Sequence, residues 1–225
     1  MPSLRHWLAR GTPDTARAAI QPGVVEAALE GFRLGGRCLN AGSGEGMFAG
    51  VIDRQAGIAQ AVNVDIGWPQ APAGGRVRHT AVRGDLQRLP FAPASFDCAL
   101  CTEVLEHVPD DRLAVSELAR VLRAGAILLV TVPSPPAPPD AAHVREGYTL
   151  EGMTALLVEG GFAVEKHAWC FHGLMRAALV IWARVPASSS MRRLMPRAFF
   201  HALGRADARL AIGRPWDLVV VARRR

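Results

Sequence analysis

Apolar positions follow two alternating rhythms along the chain. Short apolar runs of strand length occur at RCLNA (37–41), AVNVDI (61–66), VRHTAV (77–82), SFDCAL (95–100), AILLVTV (126–132), FAVEKHAW (162–169) and WDLVVVA (216–222), with turn-forming residues near most of their ends. Between them lie stretches with helical spacing: MFAGVIDRQA (47–56), DDRLAVSELARVL (110–122) and LEGMTALLVEGG (150–161). Asp110 or Asp111 supplies an N-cap for the second of these, and Gly125 stops it. Residues 12–31 predict two helical pieces, one opened by Thr12-Pro13-Asp14 and another reopened at Pro22-Gly23. WPQAPAGG (68–75) and the proline-rich stretch 133–139 predict loops.

Seven strands alternating with helices predict a doubly wound, mostly parallel α/β sheet covered by helices on both faces. AILLVTV is apolar throughout, as a central strand buried on both sides must be. The expected organisation is one domain over 1–225. It has N-terminal helices in 1–36, a core in 37–170, a helical insertion or lid in 171–213 and the last strand and tail in 214–225.

Composition narrows the class. Half the residues are hydrophobic and a fifth are charged, which is globular. No apolar run approaches the ~18 residues needed to span a bilayer, and the N-terminus has no apolar core of a signal peptide. A cytoplasmic protein is expected. The formal charge of +6 is unevenly spread. Residues 171–214 hold eight arginines against one acid, Asp207, so this segment carries +7 and the remainder −1. Cys98 and Cys101 form a C-x-x-C, but on a strand residues three apart face opposite sides, so the two thiols are expected to be separate buried hydrophobes.

The first strand runs into Gly42-Ser43-Gly44-Glu45-Gly46. In a doubly wound fold this turn is where a ligand meets bare main chain. The spacing is G-x-G-x-G, with Met47 where a dinucleotide fingerprint would place its third glycine, which disfavours a nicotinamide enzyme. Four blocks in order, LNAGSGEG, Asp65 closing the second strand, GDLQRLPFAPASFDCALCTEVLEHV and RVLRAGAILLVTVP, resemble class I S-adenosylmethionine-dependent methyltransferases, particularly their small-molecule group. The resemblance covers about residues 37–170 and implies a Rossmann-like methyltransferase fold with S-adenosyl-L-methionine as cofactor.

It further implies that Asn40, Gly42, Ser43, Gly44 and Gly46 hold the cofactor's amino-acid end. Asp65, with Ile66 beside it, would take both ribose hydroxyls, and a carboxylate can accept both protons. Asp85 and Leu86 would lie at the adenine, and Glu103 would approach the cofactor. Asn40 replaces the family's usual acid, keeping an acceptor without its charge. The helix usual between strands two and three is missing.

Methyl transfer from a sulfonium is a single displacement, so most of the acceleration can come from holding the nucleophile in line. On the acceptor side, Glu103, Glu106 and His107 are spaced i, i+3, i+4. If the chain turns helical after strand four they share one face. With His143 they resemble the E-x-x-E-H and later His of ubiquinone-biosynthesis O-methyltransferases and small-RNA 2′-O-methyltransferases, which implies a divalent cation that lowers a hydroxyl's pKa. Three readings stay open: a structural or cofactor-supporting role, a metal site, and a general base at His107 or His143. His167 and His172 are expected to be satisfied or solvent-facing.

The insertion carries apolar stripes at FHGLMRAALVIWARV (171–185) and MRRLMPRAFFHAL (191–203), the second broken by Pro196. These predict a packed helical lid, a lipophilic pocket or contact with an anionic membrane. The expected activity is methyl transfer to a small-molecule acceptor at a hydroxyl oxygen. The alternatives are a lipid or quinone precursor at the membrane surface, or a cofactor-binding module without catalysis. Nucleic-acid methylation is disfavoured, since the chain has neither an Asn/Asp-Pro-Pro-aromatic motif after strand four nor a Pro-Cys pair.

Overall fold

The computed structural model describes residues 13–135, 140–184 and 197–225. The strands are β1 Gly35–Ala41, β2 Gly57–Asp65, β3 Arg78–Arg83, β4 Phe96–Thr102, β5 Leu122–Pro133, β6 Phe162–Cys170 and β7 Asp217–Arg224. They form one seven-stranded sheet in the order β3-β2-β1-β4-β5-β7-β6. Pairings from β3 through β5 are parallel, and β7 runs antiparallel to both β5 and β6. The strand order reverses between β1 and β4, and a crevice at their carboxyl ends is the expected ligand position in such a sheet.

Helices among the described residues are α1 Pro13–Leu29, α2 Ala49–Arg54, α3 Asp111–Val121, α4 Leu150–Glu159, α5 Gly173–Ala183 and α6 Arg197–Leu210, with a 3-10 turn at Leu105–His107. Two apolar layers sandwich the sheet because alternate residues of each buried strand face opposite sides. Leu128, Val130 and Val132 of β5 join one layer, and Ile127 and Leu129 the other. Cys98 and Cys101 divide in the same way, and all four cysteines are free and buried. Asp110 caps α3 by accepting from Leu113 N–H at 2.9 Å, and Thr149 caps α4 by accepting from Gly152 N–H at 3.1 Å.

Two helical expectations are corrected. The break expected at Pro22-Gly23 is absent, and α1 runs unbroken with Pro22 inside it. A mid-helix proline costs ~3 kcal/mol. Here Val25, Ala28 and Leu29 bury themselves in the core, and Lys166, the chain's single lysine, donates to the carbonyls of Ala27 (2.9 Å) and Glu30 (3.4 Å) at the helix end. No helix continues β4; the chain instead makes the short turn at Leu105–His107. Residues 68–75 connect β2 to β3 without a helix, as the sequence predicts.

In the insertion α5 and α6 pack together, and the second helix begins just after Pro196, which lies outside the described residues, as does the first part of its apolar stripe. Asp207 turns inward, only 2% exposed, and accepts from the N–H groups of His172 (2.6 Å) and Met175 (2.9 Å) at the start of α5. His167 faces solvent. His172 departs from expectation: it is buried, with no hydrogen-bond partner at Nδ1 among the described residues. None of the helices in the described residues is long and apolar enough to cross a membrane.

Candidate active site

The loop after β1 is built by main-chain bonds across the strand ends. The N–H groups of Gly42 and Ser43 both donate to Val64 O, at 2.8 and 2.9 Å, folding the chain over the end of β2. Gly42 (φ 69°) requires glycine twice over: its backbone is left-handed, and an added Cβ would overlap the side chain of Val104. Asp65, the last residue of β2, faces this loop. Its Oδ2 accepts from Gly44 N–H and its Oδ1 from Gly67 N–H, both at 2.8 Å.

A cleft of about 120 Å³ opens beside it, lined by residues that include Gly42, Asp65, Ile66, Asp85, Leu86 and His107. Beneath the loop, Asn40 Oδ1 and Ser43 Oγ are buried without a hydrogen-bond partner in the described residues. Buried acceptors without partners are costly and mark a place for a polar ligand. A nucleoside with an amino-acid tail fits this donor and acceptor set: Asp65 retains lone pairs for a vicinal diol, and the glycine turn admits close approach. The predicted cofactor residues therefore lie around one cleft or directly beneath its loop, with the exception of Glu103.

Glu103 sits in the left-handed region (φ 56°) and turns toward α1. Its carboxylate accepts from Thr131 Oγ1 (2.7 Å) and Gln21 Nε2 (2.9 Å) and pairs with the Arg17 guanidinium at 2.8 Å. The expected single face of Glu103, Glu106 and His107 is thus not formed, because the chain bends at Glu103 before the turn begins. Asp217, at the start of β7, joins the same network through Gln21 (3.3 Å) and Arg17 (3.5 Å). Burial, then the charge of Glu103, pushes Asp217 up to about 8, against the pull of Arg17.

Glu106, His107 and His143 do come together, their ligand atoms all within 4.8 Å of one another. A carbonyl can only accept, so the 2.9 Å contact to Ala142 O places the His107 proton on Nδ1 and leaves a lone pair on Nε2. That lone pair lies 3.8 Å from Glu106 Oε1. The Glu106 carboxyl is fully buried and neither oxygen has a hydrogen-bond partner in the described residues. Burial first, and then the charge of Glu103, holds it well above the usual carboxylate range. His143 stacks edge-on to His107 (4.7 Å between ring centres) and is held below the usual imidazole range by burial and then by His107.

The turn carrying Glu106 is bound to the 140–148 loop. Val144 N–H donates to Glu106 O (2.9 Å), and the Arg145 guanidinium bridges Val108 O (2.8 Å) and Tyr148 Oη (3.1 Å). Arg17, Gln21, Arg145 and Asp217 were not among the predicted residues. An acid heading the apolar run WDLVVVA was the one sequence signal available for any of them.

A parallel sheet with its crevice at the β1–β4 reversal, a glycine turn and a diol-ready carboxylate defines a nucleoside-cofactor-binding α/β protein. Residues 39–130 match the family described as a methyltransferase domain. A Mycolicibacterium smegmatis protein described as "Probable S-adenosylmethionine-dependent methyltransferase" is 34% identical over 200 residues, which cover 75% of this chain and 76% of that protein. A Mycobacterium tuberculosis protein of the same description is 35% identical over 156 residues, covering 63% of this chain and 56% of that one. The solved S-adenosylmethionine-dependent methyltransferase from Mesorhizobium loti has the same fold, with a TM-score of 0.59 at 21% identity over 90% of this chain and 96% of its own. The chain belongs to the S-adenosylmethionine-dependent methyltransferases.

Proposed function

We propose that the enzyme transfers the methyl group of S-adenosylmethionine to a hydroxyl oxygen of a small molecule seated between the cleft and the Glu106–His107–His143 cluster. The cofactor's amino-acid end rests on Gly42–Gly46 with Asn40 and Ser43 as acceptors. Asp65 takes the ribose, Ile66 lies beside it, and Asp85 and Leu86 flank the adenine. Glu103 acts through Arg17 and Gln21, tying α1 over the site. His143, kept neutral by its surroundings, accepts the hydroxyl proton as the methyl transfers, with His107 Nε2 as its neighbour.

One observation carries this reading: two imidazoles and a buried carboxyl with no hydrogen-bond partner among the described residues converge, and one of the imidazoles, His107, lines the cofactor cleft. The same observation favours a second reading, a divalent cation at Glu106, His107 and His143. The surroundings hold three buried or nearly buried carboxyls, Glu103, Glu106 and Asp217, and the Arg17 guanidinium pairs with two of them. A bound cation would supply a lower pKa to the acceptor hydroxyl.

Turnover of a hydroxylated acceptor panel by enzyme stripped with EDTA separates the two. Full activity after stripping, with His143→Ala lowering kcat, supports the base. Recovery only with added Mg²⁺, Mn²⁺ or Zn²⁺ supports the cation. Methylation confined to amines or carbon overturns both.

A lipid or quinone precursor is the acceptor class favoured by the insertion. Ile181, Leu210 and Ile212 are well exposed beside Arg184, Arg209 and Arg214, and the segment's lone acid is turned inward. This arrangement suits an anionic membrane surface.

A further inference from the structure

A polar series runs from His79 on β3 across β2 to β1, with the half-buried Asp53 of α2 near its outer end, and none of its members lines the cofactor cleft. His79 has a fully buried side chain, with Nε2 3.6 Å from Asp53 Oδ1. Its Nδ1 lies 3.1 Å from Asn63 Nδ2. The same Asn63 nitrogen lies 3.3 Å from Thr80 O, and a carbonyl can only accept, so this contact independently identifies the nitrogen as the NH₂ end of the amide. His79 Nδ1 is then an acceptor and its proton sits on Nε2, which faces Asp53 beyond hydrogen-bond distance and has no partner among the described residues. On its other side, Asn63 Oδ1 accepts from Asn40 Nδ2 at 2.9 Å.

Every donor in this series points toward Asp53, and every acceptor faces back toward the glycine loop. The direction of the series is set in its middle by the Thr80 carbonyl, which cannot donate. Its other end is Asn40 Oδ1, which is buried, without a partner in the described residues, and two positions before Gly42. An amide has one accepting end, so its value to a cationic ligand depends on which way it is turned. A carboxylate, with two equivalent oxygens, would have no such dependence.

We infer that Asn63 and His79 are positioning residues that turn the amide oxygen of Asn40 toward the ammonium group of the cofactor. The inference rests on the reading of Asn40 as a cofactor ligand. It explains how a neutral residue serves where the family's usual acid is absent: the bond to Asn63 occupies the donating end of the Asn40 amide and leaves its oxygen, the one accepting end, free for the ligand.

The test is calorimetric titration of S-adenosylmethionine into the full-length protein and its variants, with the melting temperature of each recorded without ligand. Asn63→Asp still accepts from Asn40 and preserves the direction; its Kd is expected within twofold of the parent or tighter. Asn63→Leu removes that acceptor and is expected to weaken binding at least threefold, within the two- to tenfold range that one net hydrogen bond commands. His79→Phe, close in size and without an acceptor, replaces Asn63→Leu in the comparison should that variant not fold.

Unchanged affinity in both Asn63→Leu and His79→Phe overturns the inference. Equal weakening in Asn63→Asp and Asn63→Leu overturns it too, since it would signify packing alone. Asn40→Leu separates the underlying reading. If it binds as tightly as the parent, Asn40 is not a cofactor ligand. If it weakens binding about tenfold while Asn63→Leu does not, the ligand reading stands and the positioning role falls.

Discussion

Gly42→Ala probes the cofactor loop at its tightest point. The glycine has φ 69°, where an L side chain costs ~1–2 kcal/mol. The new methyl would also overlap Val104 Cγ2, and would stand 2.8 Å from Cγ1 and 3.0 Å from Cβ. Overpacking of this kind costs ~1–3 kcal/mol as the neighbours shift. The two effects together predict a loss of ~2–5 kcal/mol, shared between the stability of the fold and the affinity of the loop for its ligand. If half falls on binding, Kd for S-adenosylmethionine rises between about fivefold and seventyfold.

Two further variants separate the causes. Gly44 has φ 48° but open space around it, so Gly44→Ala bears the backbone cost alone, ~1–2 kcal/mol. Gly42→Ala combined with Val104→Ala removes the two methyl overlaps and leaves only the 3.0 Å approach to Cβ, so it should recover affinity most of the way to the level of Gly44→Ala. Calorimetric titration with parallel melting curves reads both quantities. The reasoning is refuted if Gly42→Ala binds as well as the parent, or if shortening Val104 recovers nothing.

Two predictions concern titration. His143 should titrate below the ordinary imidazole value of about 6.5, and His107→Gln should move its midpoint upward by removing the neighbouring imidazole that helps hold it down; imidazole NMR signals followed from pH 5 to 8 would check this. Asp217, raised to about 8 from an ordinary value near 4, keeps a proton in the native state that the unfolded chain has released over that interval. Its contribution to stability is therefore full below about pH 4 and is lost as pH rises through about 8. Asp217→Asn cannot titrate, so its melting temperature should gain on the parent between pH 5 and pH 9; a constant difference across that range would contradict the assignment.

Much of the site was legible because its pieces are local. A strand that ends in glycines, and a second that ends in Asp65, specify their own geometry through backbone rules, and the parallel sheet then sets them side by side. Glu106 and His107 were legible as a pair for the same reason, being adjacent in one turn. Glu103 was misjudged because its direction is not a local property. Arg17 and Gln21, more than 80 residues away on α1, bind its carboxylate off the expected face, and its backbone lies at positive φ. Pro22 was misjudged similarly: by local preference it ends a helix, and the buried contacts of Val25, Ala28 and Leu29 keep the helix whole.

Taken alone, the order of apolar runs determined the sheet and the glycine turn marked its ligand-binding edge, since each depends on periodicity or on what the main chain permits over a few residues. The cofactor and the class of reaction followed from the resemblance of four ordered blocks to a known family. Only the folded chain decided which of the remaining polar groups meet. The gathering of Glu106, His107 and His143, the burial that shifts Glu106 and His143, and the alignment of His79, Asn63 and Asn40 all arise between segments brought together by the fold. Such contacts have no local signature, because burial and hydrogen-bond direction are fixed only when the whole sheet is assembled.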